Sequence, residues 1–160
     1  MLHGCRSPFA YAQNLERSLL TELASPGARP TQEWTSRTVT NKDTVIAFWT
    51  QVFDAKDPAG AAASYLADTY TQHNPNAVDG AAGLIEFTTA LADREPNFTA
   101  ELIRVVADGD LVATHSRFVY STATVAAMDF RRLDENGKIT EHWDAIQPVP
   151  ATARNDHGMF

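Results

Sequence analysis

The chain has 160 residues, with 13 Lys and Arg against 20 Asp and Glu for a net charge of −7, and 44% hydrophobic against 21% charged residues. That is the composition of a single globular domain long enough to bury a core. Its acidity repels phosphate backbones, so nucleic acid is not an expected partner, and no apolar run approaches the roughly 18 residues that cross a bilayer, so no membrane partner is expected either.

Residues 9–24, FAYAQNLERSLLTELA, place Leu15, Leu19, Leu20 and Leu23 at helical spacing, and the Pro- and Gly-containing SPGARPTQ that follows has the character of a linker. Residues 1–40 are therefore expected to form an extension, with the domain proper over 41–160. Glu16 and Arg17 interrupt the stretch in which a secretory signal needs its apolar segment, and Cys5 as the sole cysteine excludes an internal disulfide. A cytoplasmic location is expected.

The domain opens with TNKDTVIAFWTQVF, where Asn41 is the expected helix cap and Val45, Phe48, Trp49, Val52 and Phe53 form one apolar stripe. Asp57 and Pro58 have the form of a cap followed by a first-turn proline, predicting a short second helix over PAGAAASYL. ADTYTQHNPNAVDG starts as a strand and ends in turn residues. A third helix fits AAGLIEFTTALADRE, with Leu84, Phe87 and Leu91 on one side and Pro96 beyond its end. After Pro96, four segments separated by turn signals at Gly109 and at Asn136-Gly137 predict an antiparallel meander. Helices followed by strands predict an α+β domain, its helices on one face of a curved sheet.

Facing residues of an antiparallel hairpin keep a constant sum of residue numbers, set by the turn. Asn136-Gly137 is a preferred two-residue turn, and it pairs Asp129 with Asp144 and Arg131 with His142. If the preceding loop is Ser121, Thr122 and Ala123, His115 falls opposite Asp129, on the same face. That loop lacks the Gly such three-residue turns favour, and a slip of one residue would move His115 to the other face. On this register one face carries Val112, Phe118, Tyr120, Met128, Phe130, Ile139 and Trp143. The other surrounds His115, Arg117, Asp129, Arg131, His142 and Asp144 with Leu111, Val119, Val125, Leu133 and Ile146. Ionisable groups within an apolar border are how ligand pockets are lined, and two facing aspartates need something to offset their repulsion.

YTQHNP followed by DG, then DLVATHSRF, MDFRRLDENGKITEHWDAIQPVP and the final MF, resemble the SnoaL-like polyketide cyclases of the nuclear transport factor 2-like superfamily. The resemblance spans about residues 42–160. It implies a cone-shaped barrel of three helices on a strongly curved sheet, dimerising through sheet surfaces. It also implies an acid/base aspartate at Asp129 with a histidine at His115, closing a ring by intramolecular aldol addition without metal or cofactor. His142 and Asp144 of EHWD add ionisable groups to that pattern.

The chemistry needs a base for a proton alpha to a carbonyl and a donor for the enolate oxygen. Asp129 is the expected base, His115 its partner, with Asp144 and His142 tuning the pair; Arg117 and Arg131, with His73 and Asn74 at the end of the first strand, are the expected substrate contacts. The expected ligand is a small hydrophobic carbonyl compound. No cofactor is expected, because no Gly-rich phosphate loop exists, and no metal, because His73, His115 and His142 lack a recognised ligand spacing. An isomerase or epoxide hydrolase in the same pocket, or a small-ligand-binding accessory protein without chemistry, are the alternative readings.

Overall fold

A computed structural model describes residues 39–160; the amino-terminal helix and linker expected before Val39 lie outside the described residues. Three helices, α1 (Asn41–Phe53), α2 (Pro58–Tyr65) and α3 (Gly80–Arg94), pack on a sheet of five strands. These are β1 (Leu66–Gln72), β2 (Thr99–Asp108), β3 (Leu111–Val119), β4 (Thr124–Leu133) and β5 (Ile139–Pro148), in the order β1-β5-β4-β3-β2. The α+β architecture is the one expected.

The cap of α1 is Thr40 rather than Asn41. Its hydroxyl accepts from the Asp43 N–H at 3.2 Å while the Asp43 carboxylate accepts from the Thr40 N–H at 3.1 Å, a reciprocal box that needs an acid three residues on. Asn41 instead donates to the Gly109 carbonyl. The α1 stripe is buried as its spacing predicts: Val45, Phe48, Trp49 and Val52 are all at most 3% exposed. Asp57 caps α2 by accepting from the Gly60 N–H at 2.9 Å, and Ala61 and Ala62 are the small residues that let this helix lie close. α3 lies against the loop before it because Gly83 has no side chain; a Cβ there would collide with the Val78 carbonyl oxygen.

β2 to β5 form the meander. β1, however, joins the far side of β5 in parallel, with Leu66 beside Ile139 and Gln72 beside His142. The turn between β4 and β5 is not the two-residue one expected: the Asp134 N–H donates to the Lys138 carbonyl at 2.8 Å across a three-residue loop, Glu135-Asn136-Gly137, in which Gly137 alone takes a positive φ, 73°. The predicted pairs Asp129 with Asp144 and Arg131 with His142 are both present. A bulge at Arg132/Leu133 brings Ile139 opposite Leu133, so Ile139 joins the buried side instead of the face predicted for it.

The β3–β4 hairpin is shifted by one residue from the expected register. Thr114, not His115, faces Asp129, and His115 faces Met128. The loop is two residues, Ser121 and Thr122, closed by a bond from the Tyr120 N–H to the Ala123 carbonyl at 2.8 Å, and neither residue takes a positive φ. A long-range contact holds this turn: the Glu95 carboxylate at the end of α3 accepts from the Ser121 N–H at 2.8 Å and from its hydroxyl at 3.1 Å. The slip turns every β3 side chain over. Val112, Thr114, Ser116 and Phe118 therefore face the helices, while Leu111, His115, Arg117 and Val119 face away. Met128 and Phe130, 44% and 46% exposed, lie on that outer side too.

Candidate functional site

Between α1, α3 and the inner face of the sheet lies a cavity of about 230 Å³. Phe48 and Val52 of α1, Leu84, Phe87 and Leu91 of α3, and Phe118 of β3 make its apolar wall. Its floor is polar and comes from three strands and the turn after β1: Gln72, Asn74, Asp129, Arg131, His142 and Asp144. An apolar wall around a few convergent polar groups is the usual form of a small-molecule site.

Strand alternation builds the floor. Asp129 and Arg131 are two apart on β4, as are His142 and Asp144 on β5, so all four project inward. Asp129 is held on both oxygens. Arg131 Nη2 lies 3.2 Å and His142 Nε2 3.0 Å from Oδ1, and the Thr114 hydroxyl donates to Oδ2 at 3.2 Å. Burial alone would raise the Asp129 carboxyl, but the Arg131 charge and the bonds from His142 and Thr114 outweigh it and hold the group below the usual carboxylate range. Arg131 is only 4% exposed and also donates to Thr114 at 3.2 Å; its guanidinium lies over the Phe48 ring.

Asp144 differs. Its Oδ2 accepts from Asn74 Nδ2 at 2.6 Å, and its other oxygen has no hydrogen-bond partner among the described residues. His142 Nδ1 lies 2.8 Å from Gln72 Oε1. Tyr70, two residues before Gln72 and 4% exposed, also borders the cavity; burial first of all, against the pull of Arg131, pushes its hydroxyl up to about 12, so it keeps its proton.

Of the expected site residues, Asp129, Arg131, His142, Asp144 and Asn74 meet here. His115, Arg117 and His73 do not. The one-residue slip of β3 puts His115 on the outer face, where its Nδ1 lies 2.9 Å from Arg104 Nη1 and its ring stacks on Phe160. Arg117 shares that face, bonding Glu101 at 2.8 Å with its guanidinium 4.1 Å from the Phe160 ring. His73 points away because it alternates with Gln72 and Asn74; it meets Glu141 at 2.9 Å and stacks on Trp143. Thr114, Gln72 and Tyr70 were not foreseen, although alternation along Tyr70-Thr71-Gln72-His73-Asn74 separates the inward set from His73.

Asp129, His142 and Asp144 also form a group whose ligand atoms lie within 4.8 Å of one another, the spacing of a metal site. Arg131 already supplies positive charge beside Asp129, and the contact to His142 occupies the same oxygen. Among the described residues, no helix is long and apolar enough to cross a membrane.

A family profile described as the SnoaL-like domain matches residues 45–142. The chain belongs to the SnoaL-like domain family. By sequence, no curated protein matches it. Among solved structures, TsrD from Streptomyces laurentii is 17% identical, covering 66% of this chain and 87% of its own at a TM-score of 0.57. A putative polyketide cyclase from Bacillus cereus ATCC 10987 is 19% identical, covering 65% and 72% at 0.57. Wild-type IdmH, a putative polyketide cyclase from Streptomyces antibioticus, is 20% identical, covering 67% and 91% at 0.54. At these identities the neighbours show a shared SnoaL-like fold.

Proposed function

We propose that this SnoaL-like protein is a cofactor-independent acid/base enzyme acting on a small, largely hydrophobic carbonyl compound, of the type that closes a ring by intramolecular aldol addition. The observation that carries the reading is the unequal pair of aspartates on the cavity floor: Asp129 bonded on both oxygens, Asp144 with one oxygen free. Like charges this close divide their roles between them.

Asp144, rather than Asp129, is the better placed base. Its unpartnered oxygen takes the proton alpha to the carbonyl, and the enolate oxygen left behind accepts from the Tyr70 hydroxyl and the spare N–H groups of Arg131. The enolate carbon then adds to the second carbonyl of the same molecule, forming the carbon–carbon bond. Asp144 then gives the proton it took to the resulting alkoxide, while the Nε2–H of His142 stays on Asp129 Oδ1. Asp129 stays ionised throughout and holds His142 and Arg131 in place. A cavity of about 230 Å³ accommodates a ligand somewhat larger than benzene, which fills a cavity of about 150 Å³.

Turnover of candidate β-keto esters and 1,2-epoxides by the wild type and Asp144→Asn tests this. The β-keto substrates are expected to be consumed, with a fall of about 10²–10⁴-fold in the variant, the span a positioned acid/base group supplies. Equal rates in the two proteins would refute the assigned base; consumption of epoxides alone would favour hydrolysis.

A further inference from the structure

The segment Gln72–Asn76 carries two side-chain amides whose orientation is decided by backbone groups. The Asn74 N–H donates to Gln72 Oε1 at 2.9 Å, and the Asn76 N–H donates to Asn74 Oδ1 at 2.8 Å. A backbone N–H cannot accept, so each contacted atom is the amide oxygen, which settles an assignment that shape alone leaves open. Gln72 Oε1 can therefore only accept from His142 Nδ1, 2.8 Å away, and Nδ1 carries a proton. The 3.0 Å contact between His142 Nε2 and Asp129 Oδ1 then needs a proton as well, since two lone pairs do not face each other at that distance. Arg131, 3.2 Å from the same oxygen, favours the ionised carboxylate, and the proton rests on Nε2. Likewise Asn74 Nδ2 is a donor, so Asp144 Oδ2 is an acceptor and any proton Asp144 takes up goes to its free oxygen.

We infer that Gln72 is a positioning residue of the site: by accepting from the Nδ1–H of His142 it turns Nε2 onto Asp129 Oδ1 and so holds the polar floor on which Asp144 works. The catalytic consequence rests on the acid/base reading above; the placement of the proton does not. His115 gives an internal contrast. Its Nδ1 faces Arg104 Nη1, which only donates, so that nitrogen must be bare.

Nitrogen-15 imidazole spectra of the full chain at neutral pH, assigned with His142→Gln and His115→Gln, read both protons directly. The wild type is expected to show His142 protonated at Nδ1 and His115 unprotonated there. In Gln72→Leu the Nδ1 signal of His142 should move to that of a bare ring nitrogen, and in Gln72→Glu, which keeps an acceptor, it should not. On a turned-over substrate, kcat should fall about 10²-fold or more in Gln72→Leu, with KM little changed, and recover in Gln72→Glu. A bare Nδ1 on wild-type His142, a Gln72→Leu spectrum identical to the wild type, or equal kcat in the two proteins would each overturn the inference. Failure of the acid/base reading shows differently, as unchanged turnover in Asp144→Asn with the His142 spectra as expected.

Discussion

On the inner side of the sheet His142, Asp129 and Arg131 are 7%, 9% and 4% exposed and bond mainly to one another, whereas on the outer side His115, Arg117 and His73 make pairs with Arg104, Glu101 and Glu141 that reach solvent. The residue types are the same; the surroundings are not. Water screens the outer groups, so each pair contributes little and any one can change without consequence for its neighbours. Inside, removing one charge leaves others buried without a partner. Residue type alone thus does not mark a site; the face on which the strand presents it does.

The contrast is sharpest at Asp129. Asp129→Ala strands Arg131 and His142, and its expected cost is about 3–5 kcal/mol of stability, measured by denaturant unfolding. Asp129→Asn keeps the shape, and its turnover should fall about 10²–10⁴-fold through loss of the hold on His142. His115→Gln, on the outer face, should leave turnover unchanged; a comparable loss there would erase the distinction between the faces.

Acid titration tests the same difference without mutation. The Asp129 carboxyl is lowered on folding, so ionised Asp129 contributes stability that is present above the unfolded value of about 3.9 and lost as pH falls through the folded value. Unfolding midpoints followed downward from about pH 5 should drop more steeply for the wild type than for Asp129→Asn. Parallel curves would mean that the carboxylate is not held as described.

Two smaller effects concern the turns that set the faces. Gly137→Ala forces a side chain onto φ 73°, costing about 1–2 kcal/mol in thermal unfolding. Glu95→Gln weakens the anchor on Ser121 and is expected to lower the thermal unfolding midpoint by less than Gly137→Ala does. Smallest of all, Glu101→Gln, which breaks the exposed pair with Arg117, should change stability by less than about 1 kcal/mol.

These turns also explain what could be read from the residues in order. Gly137 marks the turn between β4 and β5, but the loop holds one residue more than Asn136-Gly137 implies, and the bulge at Arg132/Leu133 offsets it, which is why Asp129, Asp144, Arg131 and His142 meet as the sequence pattern indicates. Ser121-Thr122 carries no such mark. Its register depends on Glu95, which is 26 residues away, and local pattern placed His115 on the wrong face. The sequence pattern assigns both His73 and Asn74 to the cavity, although neighbours on a strand point to opposite sides. The parallel docking of β1 on β5 left no local signature, and with it Gln72 and Tyr70 were missed.

That docking has a consequence for how the protein comes into being. Asn74 meets Asp144 and Gln72 meets His142 at a sequence separation of 70, with β2, β3 and β4 between them. Contacts so distant along the chain form late, after the hairpins that rely on near neighbours. A nascent chain could close β2 through β4 while it still lacked half its polar floor, and any truncation ahead of Asp144 would yield a sheet with walls and no working end.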